Sequence, residues 1–188
     1  MKTLLTLFVL LFSSSVVAED ISDFQIEGIS VGDSALDFFT EEHIKENEWQ
    51  YDNKKYKRVQ NDELSFFQIY DAVDFHYKTG DKNYIIHNIS GILFYDDNIE
   101  VCYGKMDSIV DDLSKVFPNA EKSTKETYKL LDDESDKSKF TEVNFKLKSG
   151  YVVVSCFDYS EEYGGQDHLS IGLDTPEINE WLQYDAFQ

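Results

Sequence analysis

The sequence predicts an α+β fold in which an antiparallel sheet is packed on one face by two main helices, with a short helix added at the C-terminus. Three observations support this prediction. Residues 99–117 carry apolar side chains at three- and four-residue steps, which is typical of an amphipathic helix. Several other segments alternate apolar and polar residues, as half-buried strands do. Short glycine-containing turns join some of these segments, which favours antiparallel pairing.

The first helix is predicted over residues 34–46. An alternating segment, residues 24–29, leads into the turn Gly32-Asp33-Ser34, whose aspartate or serine can cap a following helix. The apolar side of this helix carries Leu36, Phe39, His43 and Ile44, with the histidine expected at its edge and not at a ligand site.

The strands are predicted from alternation and from the turns between them. Residues 49–60 predict a twisted edge strand, with an ordered loop as the alternative. Residues 66–77 and 84–95 predict a long antiparallel hairpin joined by a turn at residues 79–81. Four further strands are predicted over residues 124–131, 140–148, 151–159 and 168–173.

The second and third helices have their ends marked in the sequence. Asp97 and Glu100 resemble a capping box at the start of the second helix. Pro118 ends that helix, because proline lacks an N–H and clashes with the preceding turn. Thr175 is the predicted cap of the third helix, and Pro176 is its first residue. That helix offers Ile178, Trp181 and Leu182 as a docking face.

Residues 1–18 are typical of a signal peptide, and residues 19–188 are predicted to form a single α+β domain. Lys2 provides a positive start, residues 4–12 form an apolar run, and small residues precede Glu19. The apolar run is too short for a membrane-spanning helix, and no cysteine near the cleavage point can accept a lipid. We therefore expect a periplasmic or secreted protein that is not membrane-anchored.

The charge balance excludes some functions. The chain has 17 basic and 37 acidic residues and a net charge of −20. Removal of residues 1–18 takes away Lys2 and no acidic residue, which moves −20 to −21. Such a surface repels phosphate backbones, so nucleic-acid binding is not expected. The acidity either keeps an exported protein soluble or attracts a basic partner or divalent cations. Arg58 is the single arginine, which argues against a phosphate-handling enzyme.

Cys102 and Cys156 are the two cysteines of the chain, and an even pair in an oxidising compartment predicts a disulfide. Cys102 lies on the apolar side of the second helix, and Cys156 shares a strand face with Val152 and Val154. Both are therefore expected to point into the interface between helix and sheet. Two separate buried thiols are the alternative. A catalytic cysteine is disfavoured, since neither lies in a nucleophile motif.

No catalytic residue and no cofactor are predicted. The histidines lack metal-ligand spacing, and Asp167-His168 followed by Ser170 lacks the nucleophile elbow of a hydrolase. No metal site is predicted either, although two acidic segments leave calcium as an alternative. Neither has the glycine and distal glutamate of a calcium loop. The weak calcium candidates are Asp132, Asp133, Asp136, Asp158 and Glu161.

The opening residues 24–34, continuing into Leu36-Asp37-Phe38-Phe39, resemble the start of small uncharacterised exported proteins of marine bacteria. The resemblance extends to residues 71–77 and to the helix around Cys102, and it implies export without an assigned activity. A fainter likeness, a Gly-Asp-Ser-like turn before the first helix, is to small outer-membrane assembly lipoproteins and the β-lactamase inhibitor fold. This sequence lacks the lipid-bearing cysteine of those lipoproteins, and the likeness suggests an interaction module by analogy.

The leading hypothesis is a non-catalytic binding module that engages another protein or an envelope component. The alternatives are a small secreted hydrolase and a calcium-binding protein with an unrecognised site. A pocket that gathers His76 or His87 with carboxylates would favour the hydrolase. A flat or grooved aromatic surface would favour the binder. The sequence indicates no oligomeric state.

Overall fold

The computed structural model describes residues 20–62, 67–95, 98–131 and 133–187. The predicted signal peptide thus lies outside the described residues. The strands are β1 (Glu48–Gln50), β2 (Tyr56–Asn61), β3 (Ala72–Lys78), β4 (Ile86–Phe94), β5 (Glu121–Lys122), β6 (Glu126–Lys129), β7 (Lys139–Lys146), β8 (Tyr151–Asp158) and β9 (His168–Asp174). They form one nine-stranded sheet in the order β1-β2-β3-β4-β9-β8-β7-β5, with β6 paired to β7. All pairings are antiparallel.

In the described part of the chain, three α-helices accompany the sheet: α1 (Glu41–Glu46), α2 (Ile99–Val116) and α3 (Pro176–Tyr184). The predicted α+β class is confirmed. Within the described ranges, every helix falls short of the length and apolarity that crossing a membrane requires.

One face of the sheet, the apolar face, holds the main core. A single row of buried side chains crosses six strands on this face, in the order Val59, Phe75, Ile89, Leu173, Val152 and Phe145. Helix α2 covers the row with Cys102, Met106, Ile109 and Leu113. The apolar residues of α2 thus pack against the sheet, as their spacing in the sequence predicts.

The two cysteines join α2 to β8 across this core. Cys102 and Cys156 form a disulfide with their Cα atoms 6.0 Å apart, and both residues are fully buried. Both cysteines therefore point into the helix–sheet interface, as their positions in the sequence predict. In the chain-entropy account, a bridge that closes a loop of this length stabilises the fold by about 4 kcal/mol.

The prediction of one helix over residues 34–46 is wrong in extent. The segment forms a 3-10 turn over Ala35–Asp37 and then the separate helix α1. Two caps divide it, because Ser34 caps the turn and Thr40 caps α1 through its side-chain oxygen. The backbone of Thr40 is extended, with ψ of 152°, and a residue in that conformation cannot continue a helix.

The packing of this segment follows its apolar residues. Phe39 stacks on Phe75 of the apolar face, with ring centroids 5.4 Å apart, and Ile44 is fully buried. Leu36, predicted on the same side, is 42% exposed because it lies in the 3-10 turn. His43 is partly buried and stacks on Phe39, which agrees with its predicted edge position.

The predicted strands all contain strand structure, with differences in detail. The single strand predicted over residues 49–60 is a hairpin of β1 and β2, turned at Asn53, whose side chain accepts the Lys55 N–H. The predicted hairpin of residues 66–77 and 84–95 is present as β3 and β4. Residues 63–66, at its start, lie outside the described ranges.

The helix ends agree with the sequence in part. Asp97 lies outside the described residues, and the N-cap of α2 is Asn98, whose side chain makes no capping bond. Thr175 accepts the Ile178 N–H and caps α3, as predicted. Helix α3 packs against the sheet face opposite α2, where Trp181 contacts Tyr51.

Candidate functional site

The second face of the sheet, the polar face, carries the side chains that alternate with the apolar row. Near α3 a cross-strand row, the polar row, runs through Arg58, His76, Asn88 and Asp174 on β2, β3, β4 and β9. His76, Asn88 and Asp174 are each at most 4% exposed. Buried polar groups of this kind need hydrogen-bond partners.

A chain of hydrogen bonds runs through the polar row to Asp174, and each group donates to the next. Asn88 Nδ2 donates to Asp174 Oδ1 over 2.6 Å, which directs Asn88 Oδ1 toward His76 Nδ1, 2.7 Å away. Since that oxygen only accepts, Nδ1 carries the imidazole proton. His76 Nε2 then accepts from the Tyr51 hydroxyl over 2.8 Å. Asn179 of α3 donates to Asp174 Oδ2 over 3.2 Å, so the row also holds the helix.

Burial determines the charge states in the polar row. It lowers the pKa of His76 to about 4, so the imidazole is neutral at pH 7. Burial also raises the pKa of Asp174 to about 6, against the hydrogen bonds from Asn88 and Asn179 that lower it. Because both ring nitrogens of His76 are occupied, this histidine has no nitrogen left to act as a general base.

Arg58 pairs with Asp74, which lies two residues before His76 on the same strand face. Arg58 Nε and Nη2 approach Asp74 Oδ2 at 2.7 and 2.5 Å. Although burial opposes the charged form, the Asp74 carboxylate keeps the pKa of Arg58 above its usual value. Both contacts fall on one oxygen. Asp74 Oδ1 is buried and receives no hydrogen bond within the described part of the chain.

Six residues along the strands from Asp174, a second cross-strand row consists of aromatic rings. This aromatic row runs through Tyr128, Phe140, Phe157, His168 and Phe94 on β6, β7, β8, β9 and β4. Successive ring centroids are 5.4, 5.5, 4.6 and 6.2 Å apart. The row is a continuous platform of rings across five adjacent strands.

The platform is partly open to solvent. Tyr128 is 43% exposed, and Phe140, Phe157 and Phe94 are half-buried. His168 is buried in the row, and burial lowers its pKa to about 4. Beyond β8 the platform continues through Tyr159, which stacks on Phe157 at 6.1 Å.

Gly165 allows the loop after β8 to approach this extension of the platform. A Cβ atom at Gly165 would lie 2.6 Å from the ring of Tyr159. A larger residue at this position would therefore force the loop or the ring to move.

Two carboxylates lie beside the exposed end of the aromatic row. Glu126 and Glu142 are direct cross-strand partners on β6 and β7, two residues from Tyr128 and Phe140. Hydrogen bonds from Thr124 and Tyr128 lower the pKa of Glu126. Burial raises the pKa of Glu142, and the charges of Asp174 and Glu126 raise it further. Like charges in direct cross-strand register repel each other.

The weak calcium candidates do not converge. Asp133 is buried and accepts from the N–H groups of Ser135 and Ser138, which fixes a loop. The side chains of Ser138 and Ser135, and then their N–H groups, lower the pKa of Asp133. Asp136 pairs with Lys129 and Asp158 with Lys139, whereas Glu161 is exposed. Asp132 lies outside the described residues. Among the described residues no group of three or more acidic, histidine or cysteine side chains could hold a metal ion.

A shallow depression of about 400 Å³ lies over the same loop. It is lined by Asp133, Glu134, Ser135, Glu162 and Tyr163. The Asp133 carboxylate accepts from the Ser160 hydroxyl as well as from the loop N–H groups. Asp133, from the predicted acidic segment, therefore fixes the loop beneath this depression.

The other histidines have structural partners. His43 Nε2 is hydrogen-bonded to Asn61 over 2.5 Å, and His87 makes an edge contact with Tyr56. His168 Nδ1 bonds the Gln166 carbonyl over 2.9 Å, while Asp167 Oδ1 accepts the Tyr159 N–H. Asp167, His168 and Ser170 therefore show no triad of hydrogen bonds among the described residues.

The aromatic row and the Glu126–Glu142 pair are not predicted from the sequence. Alternation indicates which residues of one strand share a face, but the row depends on the register among five strands. The spacing gives only an approximate signal: Phe140 and Phe157 pair because the hairpin is centred between Lys148 and Ser149, one residue before the predicted Ser149-Gly150 turn. The placement of Phe94 beside His168 has no comparable local signal.

No protein-family model, no curated protein and no solved structure matches this chain. The resemblance to exported proteins of marine bacteria stays a prediction.

Proposed function

We propose that the protein is an exported, non-catalytic binding module of the periplasm or the extracellular space, and that the aromatic row is its binding surface. The aromatic row is the observation that carries the proposal. Aromatic rings provide large, rigid contact area and dominate the energetics of many interfaces. Here they form an ordered platform on a sheet face that is partly exposed to solvent.

The chemistry of the polar face supports binding over hydrolysis. A hydrolase needs a base with a free nitrogen or oxygen near a substrate position. His76 is buried with both nitrogens occupied. His87 makes an edge contact with Tyr56 and lies near Glu177, but that carboxylate is paired with Lys55 and Lys78. The calcium alternative is weaker, since the carboxylates of Asp133, Asp136 and Asp158 are engaged by the loop and by lysines.

The disulfide and the charge support the proposed location. A buried Cys102–Cys156 bridge suits an oxidising compartment, and the apolar run of residues 4–12 suits export. With a net charge of −20, the partner is another protein or an envelope component and not a nucleic acid. A kinship with exported proteins of marine bacteria is part of this proposal.

The test is a comparative capture from an envelope extract on immobilised protein, over a range of salt concentrations. The wild-type chain is compared with a Tyr128→Ala/Phe140→Ala variant and with Leu36→Ala/Val101→Ala, which removes exposed apolar side chains elsewhere. We expect a specific partner that the control variant retains and the aromatic variant loses. A partner retained by all three chains, or none retained by the wild type, would refute the proposed surface.

A further inference from the structure

We propose that the occupant of the aromatic row is a lysine- or arginine-bearing segment of another exported protein, whose cationic group lies between Glu126 and Glu142. This inference rests on the proposed function and names the chemistry of its partner. The two glutamates lie side by side without a cation among the described residues, and a buried oxygen atom beside them lacks a donor.

The two glutamates and two rings form a compact patch. Glu126 faces Glu142 across β6 and β7, and Tyr128 faces Phe140 two residues further along the same strands. Cross-strand partners have Cβ atoms about 5 Å apart, so one cationic group can reach both carboxylates. The alkyl stem of a lysine or arginine would then lie against the rings, where the quadrupole of each ring also attracts the charge.

The lysines around this patch are engaged elsewhere. Lys125 binds Asp107 at 2.6 Å, Lys129 binds Asp136 at 2.8 Å and Lys139 binds Asp158 at 3.1 Å. Among the described residues, Glu126 and Glu142 take part in no ion pair, and their hydrogen-bond donors are Thr124, Tyr128 and Asn144. A cation from a partner would therefore reduce the repulsion between Glu126 and Glu142, which no lysine in the described part of the chain neutralises.

One further oxygen beside the patch lacks a donor. Asn144 Oδ1, in the residue that donates to Glu142, is buried without a hydrogen bond in the described chain. Buried acceptors without donors are rare, so the patch has one more acceptor than its donors satisfy. Lysine and arginine side chains supply several donors and no acceptor.

Other occupants fit less well. A second copy of the chain carries the same net charge of −20 and would be repelled. A metal ion would need a third ligand, and no three-ligand group exists in the described ranges. An arginine- or lysine-bearing segment combines charge complementarity with affinity for aromatic rings.

The test is calorimetric titration of the exported protein with a lysine- and arginine-rich peptide at about 0.15 M salt. An otherwise identical peptide with glutamine in place of every basic residue is the matched ligand control. We expect binding of the basic peptide alone, and a loss of at least about tenfold in affinity in Glu126→Gln/Glu142→Gln.

The matched protein control is Glu100→Gln/Asp111→Asn, which removes the same charge from exposed positions of α2. It is expected to bind within about twofold of wild type. The inference is refuted if the wild type does not bind the basic peptide, or if both double variants weaken binding equally. If the captured envelope partner depends on the aromatic row but not on the glutamates, the proposed function stands and this inference fails.

Discussion

The polar row and the aromatic row lie on one face of the same sheet but differ in hydrogen bonding and in exposure to solvent. In the polar row, Asn88 has hydrogen bonds on both amide atoms and His76 on both ring nitrogens, and the row is buried beside α3. In the aromatic row, the rings contact one another but remain partly exposed. The first arrangement stabilises the fold, whereas the second leaves ring area in contact with solvent, where we propose that a partner binds.

The length of α3 explains why the two ends of this face differ. The helix starts directly after β9, because Thr175 caps it one residue beyond Asp174. Its nine residues span about 14 Å. The aromatic row crosses β9 at His168, which is six residues and about 20 Å away along the strand. A helix of this length covers the polar row, and its last residue, Tyr184, lies near the aromatic row at Tyr128.

Asn88→Ala is the substitution with the largest expected effect on this comparison. It leaves the His76 Nδ1–H and one oxygen of Asp174 buried without partners. We expect a loss of about 3 kcal/mol in the free energy of unfolding, measured by urea denaturation. Tyr128→Ala, in the exposed part of the aromatic row, is expected to cost less than about 1 kcal/mol. Equal losses would contradict the distinction between the rows.

The next largest effect is on the pH dependence of stability, through the histidine of the aromatic row. The folded pKa of His168 is lowered to about 4, below its unfolded value near 6.5. The unfolded chain therefore takes up this proton first as the pH falls, and folding loses about 2 kcal/mol at pH 5 from this residue. His76 acts in the same direction.

Asp174 acts in the opposite direction. Its folded pKa, raised to about 6, lies above its unfolded value, so its unfavourable contribution is present above pH 6 and disappears below about pH 4. We expect urea denaturation to show a net loss of stability from pH 7 to 5, with a smaller loss in His168→Phe. Parallel pH profiles for the two chains would show that His168 is protonated as readily in the fold as in the unfolded chain.

The sequence predicts those parts of the fold that depend on local signals. The apolar steps of residues 99–117 predict α2, and Thr175-Pro176 predicts the start of α3. The disulfide is predictable because helix and strand periodicities each give the direction of one cysteine. The prediction of one long first helix is wrong because Ser34 and Thr40 are both capping residues, and each begins its own short element. Phe39, which lies between the two elements, packs on Phe75, and no local pattern predicts that contact.

The candidate site depends on information that is not local. Tyr128 and His168 belong to one row although 40 residues separate them in the chain. Their alignment follows from the pairings of β6, β7, β8 and β9, each with its own register. A one-residue slip in any of these pairings would move the rings of one strand to the other face. Alternation within a strand cannot specify that register.

Glu142→Gln has the smallest expected effect on stability. We expect it to stabilise the free protein slightly and to weaken binding of the basic peptide. Burial and the charges of Asp174 and Glu126 disfavour the ionised carboxylate and together outweigh the Asn144 hydrogen bond that favours it. A neutral amide of similar shape is therefore better tolerated in the free protein. We expect the urea midpoint at pH 7 to rise slightly, by about 0.5 kcal/mol or less in free energy, while affinity for the basic peptide falls. Gains in stability and losses in binding are typical of residues retained for a partner. A Glu142→Gln chain that is clearly less stable than wild type would place Glu142 with the polar row, as a structural residue.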